Sequence, residues 1–387
     1  MSNERRSVAL LGATGSVGRQ TLDVLRAHRA QFDLVAVAGG ERIDLLAEIV
    51  KEFDVPVVGV KSERHRRELA GVLGSGPEIV SGAQGLSELS QSADVVVNAV
   101  VGFAGLPVTL GALGAGRRLA LANKESLVAA APLVAAVRET PGAELLPVDS
   151  EHCAIHQCLS GVRPSIGYPD VRRLILTASG GPFLRWSAEQ LKSATREDAL
   201  SHPTWSMGDK ITVDSSTLMN KGLEVLEATA LFGVGVERVD VVIHPQSVVH
   251  SMVELLDGSV IAQMSRPDMR LPISYCLGLP ERLTLNWGDL DFSGLTLEFD
   301  LPDGDRFPAL GLAYAAARRA GAAPAWLSAA NEVAVAAFLA DQIAWSDVVP
   351  VVASVMDHYD DEPVDSVESL LASDAAARKW ARASLKR

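Results

Sequence analysis

The chain has 387 residues, 48% of them hydrophobic and 21% charged, a composition that excludes a disordered chain. A single core rarely grows beyond roughly 250–300 residues, so two or three domains are expected. With 35 basic against 48 acidic residues the net charge is -13, which argues against nucleic acid or an anionic membrane as the main partner. An anionic small molecule stays open, because local basic residues can override the global sign.

The start, MSNERRSVALLGATG, carries an apolar run too short for a signal-peptide core or for a membrane span of about 20 residues. Three cysteines do not make a disulfide framework. Both observations point to a reducing, cytoplasmic setting.

In chain order, SVALLG, LVAVAG, VPVVGV, DVVVNAV and RRLALAN read as buried strands bounded by Gly, Asp or Asn, with helical patterns such as VGRQTLDVLRAH and RIDLLAEIVKEF between them. That rhythm predicts a parallel sheet covered by helices on both faces. Within it, Gly12, Gly15 and Gly18 stand between a strand and an amphipathic helix. Missing side chains there let the backbone approach a pyrophosphate, at which the amides of Thr14, Gly15, Ser16 and Val17 point. The plain alternative is an ordinary strand–helix turn. The second strand lacks the Asp that would bind a ribose 2′-hydroxyl and runs instead into Gly40, Glu41 and Arg42. Arg42 could pair with a 2′-phosphate, which favours NADP, or simply start a helix in solvent. At the end of LALANKESLV, Lys124 is an anion or hydroxyl binder or a helix cap.

After Asp149 the alternation stops. Asp149 and Glu151 end the apparent strand ELLPVDSE, and in an extended segment residues i and i+2 share a side, so both carboxylates could meet one hard cation. The neighbouring His152, Cys153, His156 and Cys158 loosely imitate zinc ligands, and Cys153 beside a histidine is the one candidate thiol nucleophile. LTASGGPF presents Ser179, Gly180 and Gly181 after a strand. HPTWSMGDK, with His202, Trp205, Met207 and Gly208, has the make-up of a lid, or of a loop whose Trp205 packs into the core. KITVDSST supplies Ser215 and Ser216. In the helix that follows, Met219, Leu223, Leu226 and Ala230 form the expected buried stripe, with Asn220, Glu224 and Glu227 on the adjacent face and Lys221 beside them. Glu224 and Glu227 compete as a third metal carboxylate. VDVVIHPQSVVHSMVELLDGSVIAQMS reads as antiparallel strands with a turn at LLDGS. DLPDGDRFP is a linker, and Ala-rich helices from about Phe307 predict a small bundle.

These stretches together resemble the 1-deoxy-D-xylulose-5-phosphate reductoisomerase family over nearly the whole chain, most specifically in the run from His202 to Ala228, HPTWSMGDKITVDSSTLMNKGLEVLEA. The resemblance implies an α/β fold with an N-terminal Rossmann-like parallel sheet, an α+β catalytic domain and a small C-terminal α-helical bundle. The expected boundaries are 1–149 for NADPH binding, 150–290 for catalysis, lid and dimer contact, 291–311 as linker and 312–387 as the helical domain. It further implies a cytoplasmic homodimer using NADPH and Mg²⁺, Mn²⁺ or Co²⁺ on a small phosphorylated sugar, without nucleic acid or membrane. Asp149, Glu151 and Glu224 match the family's metal ligands and, with Lys124 and His202, its catalytic set. Substrate contacts match Lys124, Ser150, Glu151, Ser179, His202, Ser215, Asn220, Lys221 and Glu224. Cofactor contacts match Thr14, Gly15, Ser16, Val17, Gly40, Glu41, Arg42, Asn123, Glu125 and Gly208, and the lid matches Trp205 and Met207. The family commonly has Asn and Phe where this chain has Cys153 and His156, so no thiol or zinc role is implied there.

Overall fold

The apolar runs of the first 150 residues close into a seven-stranded sheet. A computed structural model describes residues 5–74, 76–162, 167–205 and 207–385 of the chain. Ser206 of the expected lid, and residues 1–4 and 386–387 at the ends of the expected domains, lie outside the described residues. The strands are β1 (Arg6–Leu11), β2 (Phe32–Gly39), β3 (Val57–Val60), β4 (Glu78–Ser81), β5 (Val95–Asn98), β6 (Arg118–Leu121) and β7 (Glu144–Pro147). They lie in the order β4-β3-β2-β1-β5-β6-β7, and every pair is parallel. Strands covered on both faces need apolar residues at consecutive positions, and Val8, Ala9, Leu10 and Leu11 are at most 1% exposed. The order reverses at β1, so right-handed crossovers send the two sets of connecting helices to opposite faces. The reversal also opens a crevice between the ends of β1 and β5, the place where such sheets bind ligands.

Strand β4 was not among the expected strands. It is a four-residue edge strand whose first residue is exposed and whose others are only half-buried, so it carries little hydrophobic signal.

The described chain divides into two compact units that do not follow sequence order. The first joins residues 1–127 and 132–153 to 268–286, so the chain returns to the parallel sheet late. The returning Arg270–Gly278 helix packs on the Ser16–Ala27 helix, and hydrogen bonds tie it to the sheet. Arg6 donates to the Leu277 carbonyl at 2.5 Å, Arg118 to that of Leu279 at 2.6 Å, and the Cys276 thiol to that of Pro147 at 3.2 Å.

The second unit takes residues 128–131, 154–267 and 287–387. Its sheet contains β8 (Val171–Ala178), β9 (Val239–Ile243), β10 (Val249–Leu255) and β11 (Val260–Met264), in the order β11-β10-β8-β9. The LLDGS turn forms as expected, with Gly258 at φ +87° and Leu255 N–H bonded to the Ser259 carbonyl at 2.8 Å. The all-antiparallel expectation fails at β9, which pairs with β8 in parallel. Sixty residues of largely helical chain separate β8 from β9, a connection long enough for a crossover, and β8 then lies between β9 and β10.

The Met219–Phe232 helix is buried nearly all round, not along one stripe, and Ala230 is one of its half-buried positions. It packs on the Ala309–Arg319 helix so closely that a Cβ on Gly222 would meet that of Ala313 at 2.7 Å. Three further helices, Ala323–Leu339, Trp345–Met356 and Val367–Ser384, pack on one another and belong to this unit. Among the described residues no helix is long and apolar enough to cross a membrane.

Candidate active site

In the first unit, the turn after β1 is dictated by backbone crowding. Gly12 has φ +94°, and a Cβ there would stand 2.2 Å from the Ala99 carbonyl oxygen. A Cβ on Gly18 would stand 2.2 Å from the Gly12 oxygen, whereas Gly15 meets nothing closer than 3.2 Å. The Ser16–Ala27 helix that follows has no side-chain cap and no acidic residue in its first turn. Its N-terminal amides and the positive end of its dipole are thus disposed toward an anion.

At the neighbouring strand tips, Glu41 and Arg42 are exposed. Lys61, just past β3, donates to Glu41 Oε1 at 2.7 Å, and His65 Nε2 lies 3.2 Å from Oε2. The Lys61 contact foremost holds the Glu41 carboxyl below its ordinary pKa. Sequence reasoning missed this pairing, because it joins tips of two strands twenty residues apart.

Two buried asparagines brace the crevice. Asn98 donates to the Gly105 carbonyl and to Thr109, both at 2.9 Å, and Asn123 donates to the carbonyls of Val100 and Gly102 at 2.7 and 2.8 Å. Asn98 was not singled out from sequence; a polar residue ending an apolar strand was its only signal. Glu125 is also buried, 3.4 Å from the Asn123 amide.

Strands β6 and β7 run side by side with Leu121 opposite Pro147, so the segments beyond them emerge together. Lys124 and Asp149 meet there at 2.5 Å, both almost fully buried. Asp149 Oδ1 also lies 3.1 Å from His152 Nδ1 and accepts the Glu151 N–H at 3.3 Å. Burial, the largest single influence, pushes the Asp149 pKa up, but Lys124 and His152 together outweigh it and hold the carboxyl well below its usual range. The extended geometry expected for Asp149 and Glu151 is not what forms. A helix, Ser150–Leu159, starts between them, Asp149 caps it, and Glu151 sits in its first turn beside Ser150, whose hydroxyl donates to it at 2.5 Å. Strand propensity in ELLPVD ends where the capping Asp takes over.

The second unit gathers the serines. After β8 the chain turns through Gly180 (φ +83°) and Gly181 (φ +69°), and a Cβ on Gly181 would lie 2.5 Å from the Ser215 carbonyl oxygen. That proximity brings Ser179, His202 and Ser215 together: His202 Nε2 is 3.1 Å from Ser179 Oγ and 3.2 Å from Ser215 Oγ. His202 Nδ1 accepts the backbone N–H groups of Thr204 and Trp205 at 3.2 and 3.0 Å. An imidazole whose Nδ1 accepts carries its proton on Nε2, and burial lowers the His202 pKa, favouring that neutral form. The result is a donor group with no net charge.

Ser215 lies in the last turn of the Asp209–Ser216 helix, whose N-cap is Gly208. Leu218, at φ +61°, turns the chain into the Met219–Phe232 helix. One turn in, Asn220 donates to Glu224 Oε1 at 2.6 Å and Lys221 pairs with the other carboxylate oxygen. Glu224 and Glu227 are each 1% exposed, so burial does not separate them. Trp205 and Met207 are half-buried, and the Trp205 ring meets that of His250 edge-on at 6.1 Å.

Cys153, Cys158 and Cys276 are buried and unbridged, and burial pushes the Cys158 thiol up to about 11. The His152 ring serves Asp149 through Nδ1. Neither fact supports a thiolate with a histidine base.

A switch-point glycine loop at the end of a parallel sheet defines a Rossmann-type dinucleotide-binding protein. Comparison with known proteins narrows this. Residues 8–131 match the domain family described as 1-deoxy-D-xylulose 5-phosphate reductoisomerase, residues 145–232 its C-terminal domain, and residues 264–380 the DXP reductoisomerase C-terminal domain. A 1-deoxy-D-xylulose 5-phosphate reductoisomerase of Crocosphaera subtropica is 48% identical over 385 residues, covering 97% of this chain and 95% of the relative. That of Chlorobaculum tepidum is 48% identical over 381 residues, covering 97% and 99%. The enzyme from Zymomonas mobilis in complex with NADPH superposes with a TM-score of 0.91 at 41% identity, covering 99% and 100% of the two chains. A DOX-P reductoisomerase structure with NADPH, fosmidomycin and magnesium gives 0.93 at 41% identity, covering 98% of each. The chain belongs to the 1-deoxy-D-xylulose 5-phosphate reductoisomerase family.

Proposed function

We infer that this chain converts 1-deoxy-D-xylulose 5-phosphate to 2-C-methyl-D-erythritol 4-phosphate, with NADPH and a divalent cation, in isoprenoid synthesis. The observation that carries the reading is the 48% identity to reductoisomerases over 97% of the chain. The reaction is a retro-aldol cleavage and aldol recombination followed by hydride reduction.

The residues fit both groups. An ionised Asp149, its side chain 9% exposed, followed by Glu151 offers hard oxygen donors suited to Mg²⁺ or Mn²⁺, with Co²⁺ as an alternative. Asp149, Glu151 and Glu224 would hold the cation. A cradle that a Cβ at Gly12 or Gly18 would fill, facing an uncapped helix N-terminus, fits the pyrophosphate of NADPH. Thr14, Gly15, Ser16, Val17, Gly40, Glu41, Arg42, Asn123, Glu125 and Gly208 would hold that cofactor. When bound, the cation supplies Lewis acidity toward the substrate's carbonyl and hydroxyl oxygens, and NADPH supplies the hydride.

The chain's own residues bind and orient. Ser179, Ser215, Asn220, Lys221 and the Nε2–H of His202 hold the phosphate, the part of the substrate that does not react. Lys124 and Ser150 contact its hydroxyls, Lys124 trading part of its bond to Asp149 for the substrate. Trp205 and Met207 close over the substrate and exclude water. In this reading residues 1–149 bind NADPH, 150–290 carry catalysis and the dimer contact, 291–311 link, and 312–387 form the helical domain of a cytoplasmic homodimer. Incubation with substrate, NADPH and Mg²⁺, followed by mass spectrometry, tests the reading. A new methylerythritol phosphate supports it, and recovery of unchanged substrate overturns it.

A further inference from the structure

Ser215 is flanked by two residues that the C-terminal helices grip. Asn331, on the Ala323–Leu339 helix, donates to Asp214 Oδ1 at 2.7 Å, and the Trp345 indole, on the Trp345–Met356 helix, donates to Ser216 Oγ at 2.8 Å. Asp214, Ser216 and Asn331 are each at most 1% exposed. Lys210 supplies Asp214 with its opposite charge at 2.9 Å. The Trp345 ring also stands edge-on to Phe183 at 5.0 Å, and Phe183 lies four residues past Ser179, just beyond Gly180 and Gly181. Both segments whose hydroxyls meet His202 therefore touch the Trp345–Met356 helix, and the Ser215 turn is held by the Ala323–Leu339 helix as well.

That fastening answers a physical need. Ser215 sits in the final turn of an eight-residue helix, a length that is marginal in water without tertiary support. A small rotation of that turn would carry its hydroxyl away from His202. Asp214 and Ser216, two residues apart on the same helix, point to roughly opposite sides of that turn, so bonds to both fix its rotation as well as its place.

We propose that Asn331 and Trp345 are positioning residues, by which the C-terminal helices hold Ser215 and the Ser179–Gly181 turn in the geometry that binds the substrate's phosphate. The proposal rests on the reading of Ser179, His202 and Ser215 as phosphate contacts.

Three variants test it: Asn331→Ala, Trp345→Phe, which keeps an aromatic ring against Phe183 but removes the N–H together with part of the ring system, and Ser215→Ala as the direct reference. For each, KM for 1-deoxy-D-xylulose 5-phosphate, kcat, the inhibition constant of inorganic phosphate and the dissociation constant of NADPH are measured. Asn331→Ala and Trp345→Phe are expected to raise KM and the phosphate constant roughly tenfold, leaving NADPH affinity and kcat within about twofold. A general loosening would instead weaken NADPH and phosphate alike, and that result overturns the proposal. So does unchanged phosphate affinity in Trp345→Phe beside a loss in Ser215→Ala, even where Asn331→Ala fails to fold. Unchanged phosphate affinity in Ser215→Ala itself overturns the phosphate reading, and the positioning role with it.

Discussion

Replacing Gly12 with alanine tests the nucleotide loop where the structure is most exacting. The new Cβ would stand 2.2 Å from the Ala99 oxygen, 2.4 Å from its carbonyl carbon and 2.9 Å from the Val100 nitrogen. All three are backbone atoms at the end of β5, so no rotamer relieves the clash. Ordinary contact lies near 3.5 Å, so β1 and the β5 loop must part by about 1 Å. The positive φ of +94° adds backbone strain for any L side chain. Overpacking and strain together cost about 3–5 kcal/mol, which lowers the apparent Tm by about 10 °C. Gly15→Ala is the control, since φ there is -76° and its nearest contact is 3.2 Å. Its Tm should move by no more than about 2 °C, because its nearest contact, the Gly12 carbonyl oxygen at 3.2 Å, has to give by only a few tenths of an ångström. Thermal unfolding followed by circular dichroism, with NADPH titration by fluorescence, measures both variants. Equal, small shifts in the two, with NADPH binding retained in Gly12→Ala, would refute the reasoning about this turn.

Other outcomes follow from the same geometry. Glu224→Gln should lower kcat/KM by about a thousandfold, because it removes a proposed cation ligand and leaves the buried Lys221 without its charge partner; comparable losses in Glu227→Gln would mean the ligand assignment is wrong. His202 should titrate below its ordinary 6.5, followed by NMR of its ring proton, because burial disfavours its charge. A base whose folded pKa is depressed stabilises the fold fully above the unfolded value. That contribution is lost as pH falls toward the folded pKa, so stability should decline on acidification below about 6.5. Titration above 6.5 would contradict the neutral Nε2–H form. Lys61→Ala should weaken NADPH binding roughly tenfold while sparing NADH, since it removes the nearest cation from the Glu41 carboxylate where a 2′-phosphate is expected, leaving only the longer Arg64 pair and the His65 contact; an unchanged preference would exclude Lys61 from cofactor selection.

The two halves of the molecule differ in how far their sequences disclosed them. Parallel strands buried on both faces must be written as unbroken apolar runs, so β1, β2, β3, β5 and β6 were legible, as was the glycine loop whose spacing follows from backbone crowding. The edge strand β4 was not, because an edge needs little apolar surface. Pairing partners were also hidden. Nothing in VDVVIHPQSVV announces that β9 joins β8 in parallel, since that choice is made by the long crossover before it. The carboxylates show a subtler limit. Asp149 and Glu151 were found by residue type, but the wrong local geometry was expected, because a capping Asp can end a strand and open a helix in one step. Lys124–Asp149, Lys61–Glu41 and Asn331–Asp214 join residues 25, 20 and 117 apart, and such pairings are set by topology that no local pattern records.

The central claim is most directly tested by following NADPH absorbance as 1-deoxy-D-xylulose 5-phosphate is added, with Mg²⁺ present and again after its removal by EDTA. One equivalent of NADPH should be consumed per substrate with Mg²⁺, and none after chelation. NADPH consumption that ignores the substrate or persists without a divalent ion would contradict the account.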